Sequence, residues 1–380
     1  MTKARENSDY TGLAADLAGL QTNITAGDTA ARAGRKNLVL NGSMQVAQRN
    51  TSTTQHNGYG SDRFEANAGN LDQLAVTLTQ NSVTDLPQFT KSLKFTTTTA
   101  ETNLDSNEYF RIMQKIESQS CQQLAYGTSS ANSVTLSFWI KSSVTGTYAF
   151  SLFADASAGT RIIGSTYTIS SANTWEKKTL TFAGDTVRVM DNNNTEGLRL
   201  MWFMGAGSDF TSSDNTSWSA YSASKLAYGQ GTNAVLTTAN ATWEVTGVQL
   251  ETGSVATDFE HRGIGETLAD CQRYYYQVGG SAMAYLCQGD FYTADQFNPS
   301  IIFPVTMRAA PAFTQVSGAN YFVVYRASNA VYKDNDWTFW KSSPNVASIY
   351  GPMDAQSTQG HSGRCLAANG NAKLMFSAEL

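Results

Sequence analysis

The sequence predicts an all-β fold, two β-sandwich domains preceded by a short α-helical, coiled-coil-like segment. Three observations carry this expectation. After Asn37, apolar residues recur at every second position in many short segments, the period of a strand with one buried face. Clusters rich in Asn, Ser and Gly, such as Ser208–Ser217, separate those segments and read as loops. Before Asn37 the apolar period is that of a helix. Many strands with polar loops and almost no helix argue for sandwiches, and 380 residues leave room for two or three separate cores.

The elements follow in chain order. Tyr10, Leu13, Leu17, Leu20 and Ile24 are spaced three, four, three and four apart, the a/d pattern of a coiled-coil seam. Two heptads are too short to hold an isolated helix. The seam is therefore either a coiled-coil contact between chains supported by other domains or one amphipathic helix packed on its own domain. It fades into Gly27, Ala31 and Gly34, so residues 1–36 form one segment with its linker. In Val134–Lys141 the residues Val134, Leu136, Phe138 and Ile140 share one face, which predicts a half-buried strand. Further strands are expected at Tyr148–Phe153, Trp175–Phe182, Leu198–Met204 and Trp243–Leu250. Leu198–Met204 is apolar on both faces and reads as a central strand covered on each side. Trp243 and Val245 share one parity while Val248 and Leu250 have the other, so a β-bulge is expected near Thr246–Gly247. Pro87 stands alone before residue 299, whereas Pro299, Pro304, Pro311, Pro344 and Pro352 all lie beyond it. With the turn signal at Gly263–Gly265, this divides the chain into a domain at 37–262 and a second β domain at 263–380.

Composition excludes several functions. Charged residues are 15% of the chain, its net charge is −5 and no long basic stretch occurs, so the electrostatic footprint of a nucleic-acid-binding protein is missing. The N-terminal MTKARENSDY has no apolar signal region and no run reaches the ~20 apolar residues of a membrane span. The expectation is synthesis in a cytoplasm without membrane insertion. Cys121, Cys271, Cys287 and Cys365 have no metal-ligand spacing and read as buried thiols.

Catalytic devices are scarce. HExxH, CxxC, GxSxG and P-loop patterns are all absent. Gly58-Tyr59-Gly60 lacks the third glycine of a nucleotide loop and reads as a turn. His56, His261 and His361 stand without partners at ligand spacing. Glycoside hydrolysis needs only two carboxylates, and Glu244, Glu251, Asp258 and Glu260 cluster near one strand end. None sits in an apolar stretch that would raise a general acid, so no enzyme, cofactor or metal is expected. Aromatic residues are 11% of the chain, several of them in polar loops. Trp218 and Tyr221 flank Ser219-Ala220; Trp337 and Trp340 lie beside Asp334, Asn335 and Asp336. Flat rings beside hydrogen-bonding side chains make sugar-stacking platforms; the alternative is that these rings bury at sandwich ends. Trp337 and Trp340 have opposite strand parity, so both reach one ligand only if their segment is a loop.

Several strings resemble a known family: Asn37-Leu38-Val39-Leu40-Asn41-Gly42-Ser43-Met44, Ser61–Phe64 (SDRF), Gln114–Glu117 (QKIE), Leu136–Lys141 (LSFWIK) and Val248–Glu260. In this order they are similar to the carbohydrate-binding-module-like jelly roll of tail fibres and receptor-binding proteins of tailed bacteriophages. Cys271–Tyr275 (CQRYY), Phe303–Pro311 (FPVTMRAAP) and Ala378-Glu379-Leu380 resemble the C-terminal domain of those fibres. The resemblance implies a jelly-roll β-sandwich at 37–262, a distal receptor-facing β-sandwich at 263–380 and a homotrimeric virion protein. Residues 1–36 would join other phage tail proteins, and the far end would bind bacterial cell-surface glycan. A tail adaptor, head fibre or decoration protein, or a capsule-polysaccharide depolymerase, are the competing readings. Related jelly rolls hold a structural Ca²⁺ through an acidic residue after the opening Asn-Gly; here Ser43-Met44-Gln45 offers no carboxylate.

Overall fold

Val134, Leu136, Phe138 and Ile140 turn the same way from strand Val134–Ser142, and all four are fully buried. The computed structural model describes residues 35–54, 56–326, 329–333, 336–353 and 357–380. The strand pairs with Thr242–Thr252 on one side and Glu176–Phe182 on the other. It is more buried than alternation predicts. Thr135 and Ser137 on its second face are also covered, because the chain returns over them: Thr135 Oγ1 donates to Gly253 O at 2.8 Å. Val83, Leu86 and Phe89 form a small outer cluster against Trp139 and Phe259.

The first sheet runs in the order Ser52–Thr53, Ala75–Ser82, Lys91–Thr99, Thr242–Thr252, Val134–Ser142, Glu176–Phe182. The second runs Ser219–Ala220, Arg161–Ile169, Gly146–Ala154, Glu196–Ala206, Tyr109–Glu117, Phe64–Gly69, Gly58–Ser61. All their pairings are antiparallel. The chain passes repeatedly from one sheet to the other, singly or after a hairpin, as in a jelly roll. Rings from the two sheets interlock: Phe138 meets Trp202 edge-on at 5.9 Å and Tyr167 at 5.2 Å. The strand around Leu198–Met204 is central, between Tyr109–Glu117 and Gly146–Ala154. The parity change in Thr242–Thr252 is a register shift between Thr246 and Gln249, with Gly247 at φ 61°. That left-handed conformation suits glycine.

Two expectations need correcting. Gly58-Tyr59-Gly60 is not a turn; it begins the edge strand Gly58–Ser61, where a Cβ on Gly60 would fall 2.7 Å from Leu78 and Leu93 side chains. Gly263 and Gly265 do not make a turn into a strand either. Gly263 precedes helix Ile264–Gln272, since a glycine tolerates the helix N-terminal boundary as readily as a turn.

Beyond that helix, Tyr275–Gly279, Lys373–Ser377 and Ala312–Val316 make a three-stranded sheet. It faces a seven-stranded one ordered Asn329–Lys333, Phe322–Arg326, Ser362–Ala367, Tyr285–Phe291, Gln296–Ile302, Val346–Pro352, Thr338–Ser342. Phe297, Phe322, Val324, Ile349, Leu374 and Phe376 fill the space between them. The described residues are thus all-β apart from short helices. The four cysteines are buried. Among the described residues no helix is long and apolar enough to cross a membrane. The seam Tyr10, Leu13, Leu17, Leu20 and Ile24 lies outside the described residues.

An ionic joint fastens the two sandwiches. Arg63 pairs with Glu379, donates to Lys115 O at 2.7 Å and lies 3.5 Å from the Tyr274 ring centre. Arg49 also reaches Glu379, at 2.9 Å, and is held between the rings of Tyr59 and Tyr275 at 4.0 and 3.7 Å. Glu117 accepts from Arg273 Nε at 2.6 Å and from Tyr274 Oη at 2.5 Å. Arg308 donates to Asn194 O, Ala378 O and Glu379 O.

Candidate functional site

The outer face of the seven-stranded sheet carries an open aromatic groove. Along Gln296–Ile302, Phe297 and Ile301 point inward, leaving Gln296 and Asn298 outward. On Val346–Pro352, Ala347 and Ile349 are buried and Tyr350 faces out. The last strand, Thr338–Ser342, has a register irregularity between Phe339 and Lys341. Phe339 turns in to stack on Phe313 at 5.6 Å, and Trp340 stands out, 58% exposed. Tyr292, 65% exposed, comes from the turn before Gln296 and is fixed by its N–H donating to Gln296 O at 2.8 Å. Tyr292, Gln296, Asn298, Trp340 and Tyr350 line a groove of ≈ 400 Å³. Gln296 Nε2 donates to Asn298 Oδ1 at 2.9 Å, so two amides form a hydrogen-bonding floor between rings. Apolar faces with a few fixed polar groups are what a sugar ring needs from its binder.

Trp337 does not share this face. It is 2% exposed and meets Phe322 at 5.7 Å and Phe297 at 6.3 Å. Gln315 clasps its backbone, accepting from Trp337 N and donating to Trp337 O, both at 3.0 Å. The physical reason is parity: Trp337 leads into a strand rather than a loop, so it and Trp340 leave opposite sides. Asp336 is exposed and accepts from Ser317 Oγ. Asp334 and Asn335 lie outside the described residues. Tyr292, Gln296, Asn298 and Tyr350 were missed, although alternation in Gln296–Ile302 and Val346–Pro352 carries the signal.

Trp218 and Tyr221 do not form one platform. Trp218 is half-buried, donates its indole N–H to Ala183 O at 2.6 Å and meets Tyr126 edge-on at 5.8 Å. Tyr221 is 44% exposed and rests edge-on against Phe153. Ser219–Ala220 between them is an edge strand rather than a loop.

The carboxylates of Glu244, Glu251 and Glu260 serve the scaffold. Glu244 accepts from Ser92 Oγ at 2.5 Å and Asn81 Nδ2 at 2.9 Å. Glu251 accepts from Gln249 and from both Thr257 N and Thr257 Oγ1. Glu260 accepts the backbone N–H groups of Lys36 and Asn37, and Asp258 O accepts from Lys36 Nζ at 2.5 Å. Oxygens committed in this way tie down the two ends of the first sandwich. His56 lies edge-on to Phe110 and His261 packs on Phe89 and Phe259; His361 is exposed. A second cleft of ≈ 270 Å³ lies at the joint between Leu40, Glu117 and Tyr274. Its charges are paired, Arg35 with Asp270 at 3.2 Å and Lys115 with Glu65 at 3.2 Å.

No family model matches the chain, and no curated protein does. Among solved structures it is similar to the enzymatically active domain of bacteriophage CBA120 tailspike protein 4, at 15% identity and a TM-score of 0.32, over 57% of this chain and 21% of the tailspike chain. It is also similar to the family 11 carbohydrate-binding module of Clostridium thermocellum Lic26A-Cel5E, at 12% identity and TM-score 0.27, over 56% of this chain and 98% of the module. A tandem of two family 22 modules from Paenibacillus barcinonensis Xyn10C aligns over 92% of this chain and 99% of its own, at 8% identity and TM-score 0.29. These are distant likenesses of architecture, and the all-β fold stands on the strand order itself.

Proposed function

We propose that this chain is a non-catalytic glycan-binding virion protein, a tail-fibre subunit that attaches a tailed bacteriophage to its host. The observation that carries the reading is the groove of Trp340, Tyr292 and Tyr350 over Gln296 and Asn298, supported by the sequence resemblance at both sandwiches. Three subunits acting together would multiply weak contacts, since linked copies raise avidity by ~10²–10⁴. Residues 1–36 are assigned to trimerisation and to joining other tail proteins. The scaffold roles of Glu244, Glu251 and Glu260 favour adhesion over depolymerisation.

The test is adsorption to host cells by the parent and by Trp340→Ala. Loss of a central aromatic contact costs at least about 2 kcal/mol, roughly thirty-fold in Kd, and the melting temperature should stay unchanged. Normal adsorption with an unaltered fold would refute the glycan assignment and leave a purely structural adaptor. Release of reducing sugar from host polysaccharide would instead identify a depolymerase. Light scattering should report three chain masses; a monomer would remove the trimer.

A further inference from the structure

We infer that Asp72, Glu101 and Glu108 form a calcium site at one end of the first sandwich. Asp72 lies between strands Phe64–Gly69 and Ala75–Ser82, and Glu101 and Glu108 between Lys91–Thr99 and Tyr109–Glu117. Both connections cross from one sheet to the other, so the site would bridge the layers. One oxygen from each residue lies within 4.8 Å of the others. Opposed ligands of a calcium ion, each about 2.4 Å from the metal, are separated by about 4.8 Å, so all three fit one coordination sphere.

A second observation points to a cation at this place. Glu101 is 0% exposed, and among the described residues its Oε1 meets no hydrogen-bond donor. Its Oε2 accepts the N–H groups of Gln73 and Leu74 at 3.2 Å each, which fixes the carboxylate in place. Glu108 is buried as well, and its Oε2 accepts from Asp105 N at 2.7 Å. Among the described residues, no lysine or arginine forms an ion pair with any of the three. Two buried carboxylates beside a third, without a counter-charge, are costly, and a divalent cation removes that cost. The donor set is oxygen alone, which suits a hard ion rather than zinc or copper. Three carboxylates exceed the one or two that magnesium usually takes from protein, which favours calcium. The place is distinct from Ser43–Gln45, where the sequence offers no carboxylate.

The experiment is calorimetric titration of the full chain, first treated with chelator, with calcium and separately with magnesium, followed by melting with and without each ion. One calcium per chain and a melting temperature raised by millimolar calcium are expected. Asp72→Asn, an exposed change outside the core, should weaken calcium binding at least tenfold yet melt like the parent in chelator. Glu108→Gln should abolish the calcium-dependent rise. No binding at millimolar calcium, binding indifferent to both substitutions, or magnesium bound as tightly as calcium would each overturn the proposal.

Discussion

Glu379→Ala should loosen the joint between the sandwiches. Glu379 is the counter-charge of Arg63, whose side chain is 2% exposed, and of Arg49. Burial pulls both guanidinium groups below the ordinary arginine range, a measure of how little solvent remains there. Without Glu379, Arg49 keeps Asp62 at 3.9 Å. Among the described residues, Arg63 keeps the Lys115 carbonyl and the Tyr274 ring, neither of which carries a negative charge. Removing one partner of a buried pair costs about 3–5 kcal/mol because the other charge is stranded. Replacing both partners by apolar groups of similar volume is often neutral. Urea unfolding followed by aromatic fluorescence should therefore place Glu379→Ala well below the parent and the double variant Arg63→Met/Glu379→Leu between them. The double variant being more stable than Glu379→Ala is the signature of a stranded charge. A Glu379→Ala protein within about 0.5 kcal/mol of the parent, the range of an ordinary surface change, would refute the argument.

Burial alone would raise the Glu117 carboxyl, but hydrogen bonds from Arg273 and Tyr274 outweigh it and hold it below the usual range. Its contribution is therefore full above the unfolded value of about 4.3 and lost as pH falls through the lower folded value. Glu117→Gln should be less stable than the parent at neutral pH, with the gap closing in acid; a gap independent of pH in denaturant titrations would count against this. Trp337→Ala should cost about 3–5 kcal/mol as a core cavity, whereas Trp340→Ala should leave the thermal midpoint in place, a contrast read in one melting experiment. Gly247→Ala puts a Cβ 2.6 Å from the Phe89 ring at φ 61°, and a loss of about 1–3 kcal/mol is expected from the strained backbone alone; an unchanged denaturation midpoint would show that the bulge adapts.

Strands whose two faces differ were legible, because one buried face leaves a period of two in the residues themselves. The bulge in Thr242–Thr252 was legible for the same reason: Val245 and Val248 could not both be core without a slip. Covering layers were not. Nothing near Thr135 announces that Gly253, far along the chain, will close over it. Trp337 and Trp340 illustrate a different limit. Their types advertised a platform, and only parity, which depends on whether the segment is strand or loop, separated the core ring from the exposed one. Asp72, Glu101 and Glu108 have no motif spacing, since they meet through two sheet crossovers. Sequence proximity instead favoured Glu244, Glu251 and Glu260, whose oxygens are already engaged by Ser92, Thr257 and the backbone at Lys36 and Asn37.

Four of the strings that carry the resemblance, SDRF, QKIE, CQRYY and the terminal AEL, meet at the joint rather than at the groove. Ser-Asp-Arg-Phe supplies Arg63, and Asp62, which accepts from Gln48. Gln-Lys-Ile-Glu supplies Lys115, which donates to Leu380 O, and Glu117. Cys-Gln-Arg-Tyr-Tyr supplies Arg273, Tyr274 and Tyr275, and the terminal Ala-Glu-Leu supplies Glu379. Arg63, Glu117 and Tyr274 are buried, each against a partner from a distant string, so a change in one strands another. The groove obeys no such constraint. Trp340 and Tyr350 project from strands whose inward neighbours already fill the core, and Tyr292 from the turn before Gln296. Substitution there changes what the face can hold without changing how the face is built. The resembling strings SDRF, QKIE, CQRYY and AEL therefore report how the second sandwich is mounted on the first, while the groove proposed for glycan lies at positions that none of the resembling strings includes.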